Sequence, residues 1–257
     1  MSDIPPPPPP PPEPPRRPDA GEYLDPDDAR SAGRLYRIGG LSTATVVVTA
    51  VLIALIVTGQ VLQWMVIGDA RRFLDGEIDE DAFLIAFAPT GLIQVLFGVG
   101  QLVLATLSII WLFRMARNLR SLGRDTRWGP GWTIGGWFVP PLVLYLIPFL
   151  MLREMWRASD PEVRWGPQHQ EWKMSAVPGV ITLWWVMFGL VPLLAFFAPA
   201  ATSGALSLDT SVESLAEQLV NQATLTTLLS AASAVAAACW ILIVRSLTPR
   251  HRAFTGE

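Results

Sequence analysis

The chain has 257 residues, is 51% hydrophobic and carries a formal net charge of −3. That balance gives no electrostatic footprint for nucleic acid. One cysteine, Cys239, excludes an intrachain disulfide and a multi-cysteine metal site.

Residues 1–37 read as a cytoplasmic, disordered proline-rich tail. Pro5 to Pro12 are consecutive prolines, and proline fixes φ and lacks an amide donor, so this stretch should be a polyproline II rod outside any core. Pro5, Pro8 and Pro12 are the positions it offers to the aromatic-lined groove of a protein partner. An inert spacer fits the same composition. A leader this polar does not suit a cleavable secretion signal, so the first apolar run is expected to stay as a signal anchor.

Four apolar runs follow, at 40–67, 90–113, 176–200 and 218–244, each free of Asp, Glu, Lys and Arg. Each exceeds the roughly 20 residues a helix needs to cross about 30 Å of hydrocarbon. They pair into two hairpins across acidic joins at 68–89 and 201–217, where Thr210–Glu213 and Ser214–Glu217 match helix-start patterns. Residues 38–246 are therefore expected to form one helical membrane domain and 247–257 a short cytoplasmic tail.

The apolar stretch 132–152 decides topology. If it crosses, basic residues divide ten against nine; if it leaves and returns by one face, seventeen share one side and two the other. Short loops rich in Arg and Lys stay cytoplasmic, which favours the second arrangement. Pro140, Pro141 and Pro148 also interrupt the stretch. The expected fold is an all-α membrane protein with four transmembrane helices and a central Pro-broken re-entrant or interfacial element; five spans is the alternative. Both termini then face the cytoplasm of a cell (inner or plasma) membrane.

Arg114, Arg117, Arg120, Arg124 and Arg127 recur at spacings of three or four. They read as a solvated stripe along a bilayer with anionic headgroups. Trp128, Trp132, Trp156, Trp165 and Trp172 flank the central element and suit the headgroup level. Glu154, between Arg153 and Arg157, reads as a local charge network. Gln94, Gln101 and Ser108 repeat every seven residues in the second run. They should point into the bundle as interhelical glue, or line a path in a homo-oligomer. His169 and His251 have no partner at a metal-ligand spacing, and no nucleophile motif or paired buried carboxylate is apparent, so no catalytic, cofactor or metal site is assigned.

The segments WLFRMARNLRSL (111–122), PGWTIGGWFVPP (130–141) and PFLMLREMWRASDP (148–161) resemble an uncharacterised bacterial membrane family, domain of unknown function 4328, frequent in actinobacteria. The near-exclusive use of Arg over Lys fits such a G+C-rich source. The resemblance runs through roughly residues 40–245. Its pattern falls on Trp111, Arg114, Asn118, Pro130, Trp132, Trp137, Pro141, Pro148, Glu154, Trp156 and Arg157. The family often carries a polar residue between its two prolines, where this chain has LVLYLI at 142–147, a more lipid-compatible segment. The resemblance implies an integral membrane protein and no activity. Three functions stay open: a non-enzymatic scaffold, a channel or permease-like module on the Gln94/Gln101/Ser108 face, and a lipid-acting enzyme on the Arg/Trp-rich face.

Overall fold

The computed structural model describes residues 26–31, 35–138, 146–192 and 211–257, and among these every regular element is helical. In chain order they are α1 (Pro26–Ser31), α2 (Gly39–Leu74), α3 (Glu80–Ser121), α4 (Trp132–Gly135), α5 (Leu146–Ala158), a 3₁₀ turn (Glu171–Met174), α6 (Gly179–Trp185) with a π-helical extension (Val186–Leu190), α7 (Val212–Asn221) and α8 (Ala223–Thr255). Pro5, Pro8, Pro12 and Pro141 lie outside the described residues.

Helices α2, α3 and α8 are long and apolar enough to cross a membrane. The run at 176–200 supplies α6 and its extension, and residues 193–200 lie outside the described part, so a fourth span of full length is not among the described elements. Helix α2 packs against both α3 and α8, while α6 packs on α8. Between α2 and α3 the contact is close. A Cβ on Gly100 would stand 2.7 Å from Leu52 Cδ2, and one on Gly59 would stand 3.1 Å from Ile93 Cγ2. Small residues at such crossings let helix backbones approach where no hydrophobic drive separates protein from lipid.

The first acidic join is shorter than the gap between its apolar runs. α2 continues to Leu74 and α3 begins at Glu80, capped by the Asp79 carboxylate, which accepts from Ala82 N–H at 2.9 Å. Gly76, at φ 74°, makes the reversal between them. α7 starts from Ser211, whose hydroxyl accepts from Ser214 N–H at 3.2 Å, rather than from Thr210 or Ser214. Phe73, Phe83 and Phe87 stack beside it and form a small apolar cluster with Ala216 at this end.

The main core sits at the opposite end. It joins Ile38, Trp111, Met115, Leu119, Met151, Leu152, Trp172 and Trp184 to Trp240, Leu247 and Phe254. Within the expected tail at 247–257, residues 247–255 continue α8 as its last turns. The apolar run ends at Val244 because arginines begin there, yet Leu247, His251 and Phe254 continue the buried helical face. The proximal tail is likewise engaged, since Ala29 and Ile38 are buried in this core and Leu35 packs against it.

α5 returns to the end from which α3 departs. Arg124, just past α3, donates to Ala158 O at the end of α5, and Asn118 on α3 contacts His251 on α8. The chain between residues 124 and 158 therefore starts and finishes at one end of the bundle.

Deleting residues 247–257 removes the buried Leu247 and Phe254. At about 1.5–3 kcal/mol for each buried side chain, the truncated protein should melt well below the full chain in detergent, as read by circular dichroism. An unchanged melting temperature would contradict the packing described here.

Candidate functional site

A network of buried polar side chains forms at the end where α3, α5 and α8 terminate. Helix α3 ends at Ser121, and Gly123 at φ 77° turns the chain inward. Arg124 is therefore 2% exposed and does not lie on the solvated stripe expected from its spacing. The helical period stops three residues before it, so the face it would have shared no longer exists.

The Arg124 guanidinium donates to five carbonyls: Val163 at 2.7 Å, Arg164 at 2.9 Å, Ala158 at 3.1 Å, His169 at 3.3 Å and Asp160 at 3.4 Å. Its flat faces meet aromatic rings, Phe254 at 4.6 Å and Trp172 at 5.9 Å. Burial pushes its pKa down to about 10, against the opposing pull of Asp160 and Glu171, so it stays cationic at neutral pH. Five fixed donors in a planar fork suit this cage; the point charge of a lysine does not. Trp172, expected at the headgroup level, is buried beneath the cation.

Beside the cage lies a second polar chain. The Asn118 side chain pairs with both backbone groups of Tyr36, its Oδ1 accepting from the N–H at 2.7 Å and its Nδ2 donating to the C=O at 2.9 Å. That pairing fixes the amide orientation, so the 3.2 Å contact from Nδ2 to His251 Nε2 makes that ring nitrogen the acceptor. His251 Nδ1–H must then donate to Ser159 Oγ at 2.9 Å. Asn118, His251 and Ser159 are at most 1% exposed. One amide and one imidazole thus connect the N-terminal approach, α3, α8 and the segment after α5.

Asp160 completes the cluster. It pairs with Arg250 at 2.8 Å and accepts from Ser175 Oγ and from Glu162 N–H. Burial alone would raise its pKa, but the hydrogen bonds from Ser175 and Glu162 and the Arg250 charge outweigh that and hold it below the usual carboxylate range. Arg250 also donates to Trp156 O and lies 5.0 Å over the Trp156 ring.

The remaining positions of that pattern among the described residues lie around the same assembly. Trp111 is buried edge-on to Trp240 at 6.1 Å. Arg114 donates to Arg37 O at 3.0 Å. The Pro130 carbonyl accepts the Thr133 hydroxyl and opens α4. Trp132 is exposed and stands edge-on to Trp128, while Trp137 packs half-buried against the core. Pro148 lies in the first turn of α5, where a missing amide donor costs least. Glu154 does not form the expected charge network. Its two oxygens accept from Arg127 N–H at 2.8 Å and Trp128 N–H at 2.9 Å, tying the loop after α3 to α5. Trp156 Nε1 and Arg157 Nε donate to Ala176 O and Ser175 O, strapping the chain toward α6.

Gln94 and Gln101 do not act as the interhelical glue expected of them. Both are exposed and line cavities, and only Ser108 of that face is buried. The bonding amides are Gln60 and Gln63, which donate to Thr227 at 3.1 Å and Thr226 at 2.6 Å across α2 and α8. Sequence reasoning weighed His251 only as a metal ligand and did not single out Ser159. Their partners are 133 and 92 residues away from His251, beyond any spacing rule. The readable signal was the buried helical face running through Leu247, His251 and Phe254 past the apolar run.

Arg124→Lys should leave several carbonyls unpaired and destabilise the protein by about 2–4 kcal/mol, seen as a lower denaturation midpoint in detergent; wild-type stability would contradict the cage. Burial also pushes His251, outside the apolar run, down to about 3 from its ordinary 6.5. Below pH 6.5 the unfolded chain binds this proton and the folded protein refuses it. Stability should therefore fall as pH drops from 6.5 toward 3, by roughly 2 kcal/mol at pH 5. Melting temperature against pH should show this slope, and His251→Gln should flatten it between pH 6.5 and 5.

No curated protein and no solved structure matches the chain. A family model described as Domain of unknown function (DUF4328) matches residues 75–249. That stretch is more than half of the chain and runs from the foot of α3 through the Arg124 cage to Pro249 on α8. The chain belongs to the DUF4328 family.

Proposed function

We propose that this protein is a non-enzymatic, multi-pass scaffold of the bacterial inner membrane, with both termini and the Trp-flanked centre in the cytoplasm and a proline-rich tail that binds a protein partner. One observation carries the reading. Tyr36, Asn118, His251 and Ser159 are linked by hydrogen bonds at one end of the long helices, and beside them Arg124 bonds the Ala158 carbonyl at the end of α5. Chain segments joined at one end share one side of a bilayer, and this is the end that gathers the arginines, which short loops retain in the cytoplasm. The exposed Arg117, Arg120 and Arg127 and the exposed Trp132 ring suit contact with anionic headgroups. Side chains a lipid-acting enzyme would require are occupied structurally: both Glu154 oxygens hold backbone N–H groups and His251 has both nitrogens bonded. That favours a scaffold over chemistry.

The test uses the full chain with Cys239→Ala and single cysteines at positions 125, 165 and 250. Membrane-impermeant maleimide should label all three from the cytoplasmic side only, and deleting residues 2–20 should remove a co-purifying protein without changing that labelling. Labelling of any of the three from the periplasm would overturn the topology, and an unchanged set of co-purifying proteins would overturn the role of the tail.

A further inference from the structure

Two cavities lie between α3 and α8, over α2, at the depth of the apolar runs. One, of about 480 Å³, is walled by Gln101, Ser108, Trp137, Trp184, Phe188 and Trp240 among others. The second, of about 580 Å³, lies against Gln60, Gln63, Thr90 and Gln94. Both touch Ile56, Phe97 and Ser233, so they adjoin at these residues and together make up a cleft along the helices. Each has the volume of an ordinary ligand pocket, about 300–1,000 Å³.

Three observations narrow the occupant. First, none of the described residues lining either cavity is Asp, Glu, Lys, Arg or His. A phosphate or ammonium headgroup would sit unpaired there at prohibitive cost, so the complementary head is neutral. Second, Ser108 is 5% exposed and lines the first cavity, and on the same wall the buried indole N–H groups of Trp137 and Trp240 have no hydrogen-bond partner among the described residues. The Gln101 amide, two turns along α3, lines the same cavity. Polar groups in hydrocarbon require partners, so the head must carry hydrogen-bond acceptors. Third, the wall is aromatic and flat. Trp184 stacks on Phe188 at 5.2 Å and 11°, and meets Trp240 at 5.3 Å. Such surfaces favour a planar π-system.

We propose that this cleft binds an isoprenoid quinone. The neutral planar ring occupies the tryptophan-walled cavity with its carbonyls accepting from Ser108 and Gln101, and the isoprenoid tail passes Ile56 and Phe97 into the second cavity. A glycerolipid lacks the planar head, and a phospholipid brings a charge the walls do not match. The inference rests on the long helices lying in a membrane, as proposed above, but on neither the tail nor its partner.

Full-length protein in phosphatidylcholine nanodiscs is titrated with menaquinone-4, and contact is read as quenching of tryptophan fluorescence. Wild type should show a saturable component above the linear quenching given by free tryptophan octyl ester in the same discs. Ser108→Ala should weaken the midpoint about fivefold, the loss of one hydrogen bond. Ala237→Phe, which fills the cavity from α8, should remove the saturable component while the melting temperature holds. Purely linear quenching, or equal saturation in both variants, overturns the proposal. Competition by 1,2-diolein as effective as that by menaquinone-4 would assign the cleft to a neutral glycerolipid and overturn it too. Failure to enter nanodiscs would overturn the membrane reading, and this inference with it.

Discussion

Burying an arginine and a histidine in the same few cubic nanometres is costly unless every donor finds an acceptor, and that constraint organises this protein. Arg124 donates to five carbonyls, one at the end of α5 and four in the loop between α5 and the 3₁₀ turn. Asn118 satisfies the Tyr36 backbone and His251 together. A half-satisfied network of this kind is worse than an apolar core, whereas a complete one specifies a single arrangement. The loops at this end have little regular structure of their own. Their geometry is imposed by side chains that reach in from α3, α5 and α8.

Long helices and lock depend on each other. Apolar runs fix which parts of α2, α3 and α8 suit hydrocarbon, but helix association in lipid has no hydrophobic drive of its own. Close packing at Gly59 and Gly100 and the Gln–Thr bonds of α2 and α8 hold the shafts. The Arg124 and Asn118 networks hold the feet. With α3 and α8 tied through their ends and through α2, the space between them is kept open as the cleft proposed to take a neutral lipid.

Much of this was legible beforehand, and the failures share one cause. Charge asymmetry pointed to a central segment that leaves and returns by one face, which stays part of the proposal; what the structure contributes is the hydrogen bond from Arg124 to Ala158. Family-pattern positions fell on the segments that build the lock. What one-dimensional reading missed were long-range pairings. Periodicity carried Arg124 onto a surface stripe because the αL turn at Gly123 cannot be seen in spacing alone. Hydropathy ended the last helix at Val244, although His251 and Phe254 continue its buried face. Glu154 looked like one member of a local charge pattern, whereas its partners are backbone amides 26 and 27 residues away. The Gln94/Gln101/Ser108 repeat was visible, but whether an amide bonds a neighbour or lines a void depends on the neighbour's distance.

The central claim is that the ends of α3, α5 and α8 meet at one end of the bundle. Double electron–electron resonance between spin labels on Asp125 and Glu162, and on Glu162 and Arg252, in a Cys239→Ala protein in nanodiscs measures it directly. The account predicts narrow distributions well below the roughly 30 Å thickness of a bilayer core for both pairs. Separations of a full membrane thickness for either pair would mean that the central segment crosses, and would contradict the architecture on which every site above is built.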